Sequence, residues 1–217
     1  MDIIFKLLLL VPVIISSYFL FINIGILSIF PIWLLCGLID VSRHKTMNLK
    51  LIKEYFLGKG FLTFILSPLN LFADLLSFRN LHTFKIEDLP IGHQDEINAV
   101  VSLFDKNSKE ITDRFKENID DNRTMLFYKW YGYRLDESID EFNNDYKYIK
   151  TIGVSLFRQK TSTSRHFGPL RMTYRILYNF NKVKKEGSYI EADGRINKWK
   201  YEPLFIFDDT LIHQSFN

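Results

Sequence analysis

The feature that most constrains this chain is an uncharged stretch near its start. No Asp, Glu, Lys or Arg occurs in residues 7–39, a run of 33 positions. One membrane span needs about 20 apolar residues. The run is also too long for the core of a signal peptide and lacks a small-residue cleavage site. With a bend at residues 23–25, it predicts a transmembrane hairpin of two helices, residues 7–22 and 26–39; one long tilted span and a buried helical pair are the alternatives.

Basic residues that follow this run predict its orientation. They are Arg43, His44, Lys45, Lys50 and Lys53. Short flanks rich in Lys and Arg stay on the cytoplasmic side of a membrane. We therefore expect residues 1–45 to anchor the chain in the inner (cytoplasmic) membrane, with the rest of the protein on the cytoplasmic side.

A second apolar region, residues 51–78, predicts short helices. It is broken by charges and by helix-interrupting residues, namely Lys53, Glu54, Gly58, Lys59, Pro68 and Asp74. Two interpretations remain open: interfacial helices in contact with membrane lipid, or core helices packed on the following domain. We assign residues 46–80 to this helical linker and residues 81–217 to a C-terminal domain.

The C-terminal domain alternates between helical and strand-like patterns. Apolar residues at helical spacing predict one or two amphipathic helices in residues 94–118, and Asp136 is a predicted cap for a helix in residues 138–148. Runs rich in aromatic and β-branched residues predict strands within residues 125–135, 149–158, 174–180 and 203–209.

Composition excludes some classes of function. The net charge of +3 is too small to indicate nucleic-acid binding. The single cysteine, Cys36, excludes a disulfide within the chain and a cluster of thiolate metal ligands.

Two histidines are candidate metal ligands. His166 and His213 lie 47 positions apart, each at the edge of a strand-like run, so pairing of the strands can bring them together. Neutral imidazole is a frequent ligand of iron, zinc and copper. The alternative is that each is an ordinary surface or hydrogen-bonded histidine.

Two motifs carry a resemblance to a known family. H-F-G-P at residues 166–169, with Arg175 nine positions after His166, and F-D-D-T-L-I-H at residues 207–213 resemble the aspartyl/asparaginyl β-hydroxylases. These are iron(II)- and 2-oxoglutarate-dependent dioxygenases whose relatives include membrane-anchored lipid A hydroxylases. The resemblance covers roughly residues 80–217. It implies a mainly β fold, a double-stranded β-helix (jelly-roll, cupin-like) with flanking helices.

The resemblance also implies a site and an activity. His166 and His213 would bind Fe(II), Arg175 would pair with one carboxylate of 2-oxoglutarate, and Ser155 would lie at the other end of this cosubstrate. Asp209 either orients His213 or forms a turn. The implied reaction is hydroxylation of a lipid acyl chain, as in lipid A, or of an Asp or Asn in a peptide.

Three features of the sequence keep other functions open. Gly168 stands where many iron dioxygenases have a carboxylate ligand; in this respect the chain resembles the aspartyl hydroxylase branch of the family, whereas the lipid A hydroxylases have Asp. Leu177 replaces a histidine that binds the cosubstrate. The sequence also ends four residues after His213, before a strand whose arginine binds the far carboxylate, so we expect a domain that is incomplete at its C-terminal end. The alternatives are a non-catalytic membrane protein that retains part of the dioxygenase fold and a zinc-binding cupin-like module.

Overall fold

The computed structural model describes residues 15, 16, 18, 19, 22, 29–76, 83–117, 123–136, 138–171, 173–184 and 186–217. The α-helices are α1 (Ile29–Val41), α2 (Leu49–Leu57), α3 (Phe61–Ile65), α4 (Ser67–Leu76), α5 (Ile91–Lys106) and α6 (Ser108–Glu117). The strands are β1 (Thr83–Phe84), β2 (Arg123–Trp130), β3 (Tyr133–Arg134), β4 (Ile152–Phe157), β5 (Tyr174–Tyr178), β6 (Tyr189–Ala192), β7 (Arg195–Lys198), β8 (Leu204–Asp208) and β9 (His213–Phe216).

The predicted transmembrane hairpin and the membrane localisation based on it are wrong. In the part of the chain that the structure describes, no helix is long and apolar enough to cross a membrane. Helix α1 has 13 residues, fewer than the roughly 20 of a span. Its last residues are buried inside the protein, Asp40 among them. Most of the first predicted helix, residues 7–22, lies outside the described residues.

The basic flank that predicted the orientation is partly internal. Arg43 forms ion pairs with Asp40 at 2.9 Å and with Asp74 at 3.3 Å. His44 is buried, with its ring edge-on to the ring of Phe167 at 5.3 Å between centroids. These side chains therefore meet buried carboxylates and an aromatic ring, and they do not form the exposed positive flank on which the orientation rested.

Helices α2 to α4 pack on the C-terminal domain. Leu51 and Tyr55 share a hydrophobic cluster with Phe167 and Ile212. The Asn70 side chain donates to the Pro169 carbonyl at 3.2 Å and accepts from the Arg171 N–H at 2.9 Å. The buried faces of these helices therefore pack on the following domain, as one of the two interpretations expected. The segment that contains His166 is in direct contact with these helices.

The predicted jelly-roll is not found. Within the described residues the strands form three antiparallel sheets of three strands each, in the orders β1-β8-β5, β3-β2-β4 and β7-β6-β9. A jelly-roll needs two larger sheets with continuous hydrogen-bond ladders, whereas several strands here have only two to five residues. The fold is a mixture of helices and small sheets.

Most of the local predictions in this domain are confirmed. Helices α5 and α6, separated by Asn107, account for the helical prediction up to residue 117. The predicted strand region 125–135 overlaps β2 and contains β3, and the other three regions contain β4, β5 and β8. The helix predicted for residues 138–148 is wrong, since only a short 3-10 turn, Asp140–Asn143, forms there. The Asp136 carboxylate accepts from the Ser138 N–H at 2.9 Å but is also held by Arg114, so it stabilises a turn.

Candidate metal centre

The two predicted histidine ligands are directly opposite each other. The backbone N–H of His166 donates to the His213 carbonyl at 3.1 Å, and the N–H of His213 donates to the His166 carbonyl at 2.9 Å. The imidazole centroids are 4.2 Å apart. Strand β9, which carries His213, pairs with β6 along its other edge. The backbone of His213 is therefore hydrogen-bonded to His166 on one side and to β6 on the other, and this holds the two imidazoles next to each other.

Hydrogen bonds assign the same tautomer to both rings. Nδ1 of His166 lies 2.7 Å from the Ser164 carbonyl, and Nδ1 of His213 lies 2.7 Å from the Leu211 carbonyl. A carbonyl oxygen only accepts, so Nδ1 carries a proton in each ring, and in the neutral form of the imidazole the lone pair is on Nε2. A backbone carbonyl that orients a ligating histidine in this way is common at metal centres.

The environment of His213 keeps it neutral. Burial first, and then the charge of His166, lower the pKa of His213 to about 4. Arg175 also lowers this pKa, whereas Asp209 raises it. The Phe207 ring lies 5.0 Å from the imidazole. At neutral pH, His213 is therefore an uncharged ring with a lone pair, the form that binds a metal ion.

Arg175 and Asp209 form an ion pair next to the histidines. Nε and Nη2 of Arg175 both donate to the Asp209 carboxylate at 2.9 Å. The Asp209 side chain is largely buried and the Arg175 side chain is about half exposed. One edge of the guanidinium is thereby fixed, and its outer end remains open to a ligand.

Gly168 is the residue that makes room for this carboxylate. A Cβ at position 168 would collide with the Asp209 carboxyl group. The Gly168 N–H donates to the Asp209 carbonyl at 2.8 Å, which holds the two backbones close together. In the described part of the chain, no group of three or more His, Cys, Asp or Glu side chains is arranged to hold a metal ion. The candidate centre is thus a pair of imidazoles.

Ser155 lies on β4 and contacts an arginine that the sequence did not single out. Nε of Arg123, the first residue of β2, donates to the Ser155 hydroxyl at 2.9 Å. Arg123 lies two positions before the predicted strand region at 125–135. The alternation of β2 could have revealed it, since Arg123 and Met125 share a face and Met125 is opposite Ser155.

Two departures from the family pattern have a structural counterpart. Leu177 packs in the hydrophobic cluster that contains Phe205 and Phe207. The residues after His213 are tied down, because the Asn217 N–H donates to the Thr161 carbonyl at 2.9 Å and its Nδ2 donates to the Phe157 carbonyl at 3.0 Å. Strand β9 is therefore anchored at both of its ends.

A buried group of charges lies behind Asp209 and was not predicted. It consists of Arg43, Arg171, Asp40, Asp74 and Asp208. Arg171 is within 2.5 Å of Asp40, 2.9 Å of Asp74 and 3.3 Å of Asp208. Burial first raises the pKa of Asp208 to about 7, although the charge of Arg171 opposes this shift. The cluster joins α1 and α4 to the end of β8, next to the candidate centre.

Comparison with protein-family models, with curated proteins and with solved structures gave no significant match.

Proposed function

We propose that this protein is an Fe(II)- and 2-oxoglutarate-dependent hydroxylase. The observation that carries the proposal is the pair of adjoining imidazoles whose Nδ1 protons are both directed to backbone carbonyls. Two free Nε2 lone pairs on neighbouring rings suit a divalent transition metal ion. The resemblance in residues 166–175 and 207–213 favours iron as this ion.

The residues around the histidines fit such a centre. His166 and His213 would hold the metal, and Gly168 leaves room for the Asp209 carboxylate, which in turn holds Arg175. Bound iron(II) would supply the activation of O2. The balanced reaction converts 2-oxoglutarate, O2 and a C–H group into succinate, CO2 and a C–OH group, with one oxygen atom in succinate and one in the alcohol.

The protein's own contribution is orientation. Asp209 accepts hydrogen bonds from one edge of the Arg175 guanidinium. The outer end of the guanidinium would then donate to a carboxylate of the cosubstrate. Phe207 and the surrounding buried residues keep water away from His213. A fixed, partly dry site lowers the barrier by holding the reactants in register.

An anaerobic titration tests this function. Fe(II) and 2-oxoglutarate are added together, and the visible charge-transfer band of a chelated 2-oxo acid is recorded. We expect the band with the native protein and its loss in His166→Ala and in His213→Ala. His93→Ala is the matched control, because His93 stacks on Tyr148 away from the centre.

Two results would overturn the proposal. One is the absence of a band in the native protein at saturating iron. The other is a band that persists in both ligand variants. Metal content after purification adds a separate check, since tightly bound zinc that iron cannot replace would favour the zinc-binding alternative.

A further inference from the structure

We propose that helices α1, α3 and α4 form the interface of a two-fold symmetric dimer of this chain. The inference does not depend on the proposed function. It rests on the size, the lack of charge and the inward-directed polar groups of one surface, here called the apolar face. This face consists of the exposed apolar side chains of the three helices, Phe30, Trp33, Leu62, Ile65, Leu69 and Phe72 among them.

Helix α1 is apolar on every side apart from Asp40, but only part of its surface is buried. Cys36 and Ile39 pack with Leu71 of α4 in a hydrophobic cluster. On the solvent side of α1, the Phe30 side chain is 62% exposed. A helix that is apolar all round is normally buried all round. The outer side of α1 is therefore suited to burial against another protein surface.

Helices α3 and α4 extend this exposed surface of α1. Nε1 of Trp33 in α1 donates to the Ile65 carbonyl at the end of α3 at 2.8 Å, which joins the two helices and satisfies the indole N–H. Helix α4 packs along α1 through Leu71. Leu69 and Phe72 of α4 are exposed. The exposed sides of three adjoining helices thus form the apolar face.

The apolar face is large enough for a stable interface. Eleven large apolar side chains of α1, α3 and α4 are exposed. At roughly 100 Å² for each partly exposed side chain, they present on the order of 1,000 Å² of apolar surface. The largest apolar patch on a typical monomer is about 300–600 Å². A standard protein–protein interface buries roughly 800 Å² on each partner, so burial of this face alone meets the requirement of a dimer.

The lack of charge makes the apolar face complementary to its own copy. The only charged residues of α1, α3 and α4 are Asp40 and Asp74, which are buried and paired with Arg171. A two-fold interface places the same surface on both sides, so charges within it would meet like charges. Helices that lie on an anionic lipid surface carry Lys or Arg beside their apolar side, and these three helices contain neither. A second copy of the chain is therefore the occupant that this face fits.

Polar side chains of the same helices are directed towards the protein. The Thr63 hydroxyl donates to the Gly168 carbonyl at 3.1 Å, and the Asn70 amide donates to the Pro169 carbonyl at 3.2 Å. Burial of the apolar face leaves both donors with their partners. The buried sides of α3 and α4 thus contact the segment next to His166, and the apolar face is on the other side of these helices. A second copy on that face leaves the imidazole pair uncovered.

Sedimentation velocity of the full chain over a range of concentrations tests the assignment. We expect the native protein to be a dimer at micromolar concentration. Leu69→Lys should raise the dissociation constant of the dimer by about 100-fold or more, because two lysines would be buried in each symmetric interface. Leu135→Lys is the matched control: Leu135 follows β3, outside the apolar face, and is also exposed, so its replacement should leave the dimer unchanged.

Disulfide cross-linking provides a second measurement that does not require Leu69→Lys to fold. Cys36→Ala removes the only native thiol. In that background, Leu34→Cys, Leu69→Cys and Phe72→Cys are oxidised one at a time. We expect at least one of the three to give a covalent dimer, and Leu135→Cys to give none.

Four results would overturn the inference. The first is a native protein that stays monomeric up to about 100 µM. The second is a dimer that Leu69→Lys does not weaken and that cross-linking at these positions does not capture. The third is a series of ever larger oligomers, which a closed two-fold interface does not form. The fourth is monomeric protein that floats with vesicles of phosphatidylcholine and phosphatidylglycerol unless it carries Leu69→Lys, since lipid would then be the occupant of the face.

Discussion

At the scale of single residues, Gly168 and Asp209 occupy one space that only one side chain can fill. The Asp209 carboxyl group lies where a Cβ of residue 168 would be, and a backbone hydrogen bond of 2.8 Å prevents the two segments from separating. The carboxylate in that space is fixed by Arg175, beside the imidazole pair. A small residue at position 168 is therefore a packing requirement of this site.

Gly168→Ala should accordingly destabilise the protein and displace Asp209 from Arg175. Overpacking of a closed site costs about 1–3 kcal/mol of the free energy of unfolding. Urea denaturation measures the loss. Gly187→Ala is the control, because a Cβ at Gly187 meets nothing within 4 Å, and its effect should stay within about 0.5 kcal/mol. Equal stability of the two variants would contradict this account of Gly168.

Some residues of the candidate site could be predicted from the sequence and others could not. His166, His213, Arg175 and Asp209 belong to compact motifs, and the structure brings them together; their roles remain predictions. Arg123 carries no motif. Its position depends on which residue of β4 it faces, and that register follows from the whole strand pair.

At the scale of elements, two hairpins are closed by the same type of turn. Tyr131 and Gly132 join β2 to β3 with φ of 47° and 88°, and Asp193 and Gly194 join β6 to β7 with φ of 46° and 82°. Two positive φ angles in a two-residue loop define a type I′ turn, whose first position favours Asn and Asp. Asp193 fits that preference. Tyr131 does not, since a bulky side chain at positive φ is strained.

Tyr131→Asn should therefore stabilise the protein. The gain from relieving the positive φ is about 0.5–1 kcal/mol, reduced by the loss of the ring contact with Trp130 at 5.1 Å. Urea unfolding should give a higher midpoint with an unchanged slope. The reverse exchange, Asp193→Tyr, should destabilise, because it also removes the carboxylate that accepts from the Lys45 N–H at 3.0 Å. A loss of stability in Tyr131→Asn would show that the turn is not strained.

The sequence predicted individual strands well and their assembly poorly. Residues 174–178 and 204–208 form strands because aromatic and β-branched residues fill them. Alternation defines which residues share a face, but it does not name the partner strand. The pairing of β9 with β6 and of β8 with both β5 and β1 is set by long-range packing, so the jelly-roll expected from resemblance did not follow from the strands themselves.

At the scale of the whole molecule, a buried charge cluster joins the helices to the sheets. Three carboxylates, from Asp40, Asp74 and Asp208, share two guanidiniums, from Arg43 and Arg171. Counted over these five side chains alone, the cluster has one more carboxylate than guanidinium groups. Burial raises the pKa of Asp208 to about 7, so we expect Asp208 to be the carboxyl of this cluster that takes up a proton as the pH falls.

Asp208→Asn should change how stability depends on pH. The pKa of an unfolded aspartate is about 3.9, so between pH 4 and 7 the unfolded chain releases a proton that the folded protein keeps. Ionisation of Asp208 thus lowers the stability of the native protein as the pH rises through this window. Relative to the native protein, the variant should gain roughly 1–3 kcal/mol between pH 5 and pH 8. Denaturation at both pH values measures this gain, and a difference that is independent of pH would contradict the assignment.

The same cluster explains why the sequence misrepresented the first part of the chain. An uncharged run of 33 residues has the composition of a membrane segment, and the charges that follow it resemble a cytoplasmic flank. Asp40 and Arg43 are instead buried partners of Arg171 and Asp74, far away in the sequence. The sequence shows that Asp40 and Arg43 are charged, but the ion pairs that they form are seen only in the tertiary structure.

The pairing of His166 with His213 also determines at which stage of folding the candidate site can form. It closes a loop of 47 residues, and the Arg171–Asp40 contact behind it joins positions that are 131 apart. Segments so distant meet slowly, because the entropy of loop closure is lost before the contacts form. During refolding, the β6–β7 hairpin can form locally, and the imidazole pair assembles after it. In the unfolded chain the two histidines are far apart, so the metal binding proposed above would have to follow the pairing of these distant segments.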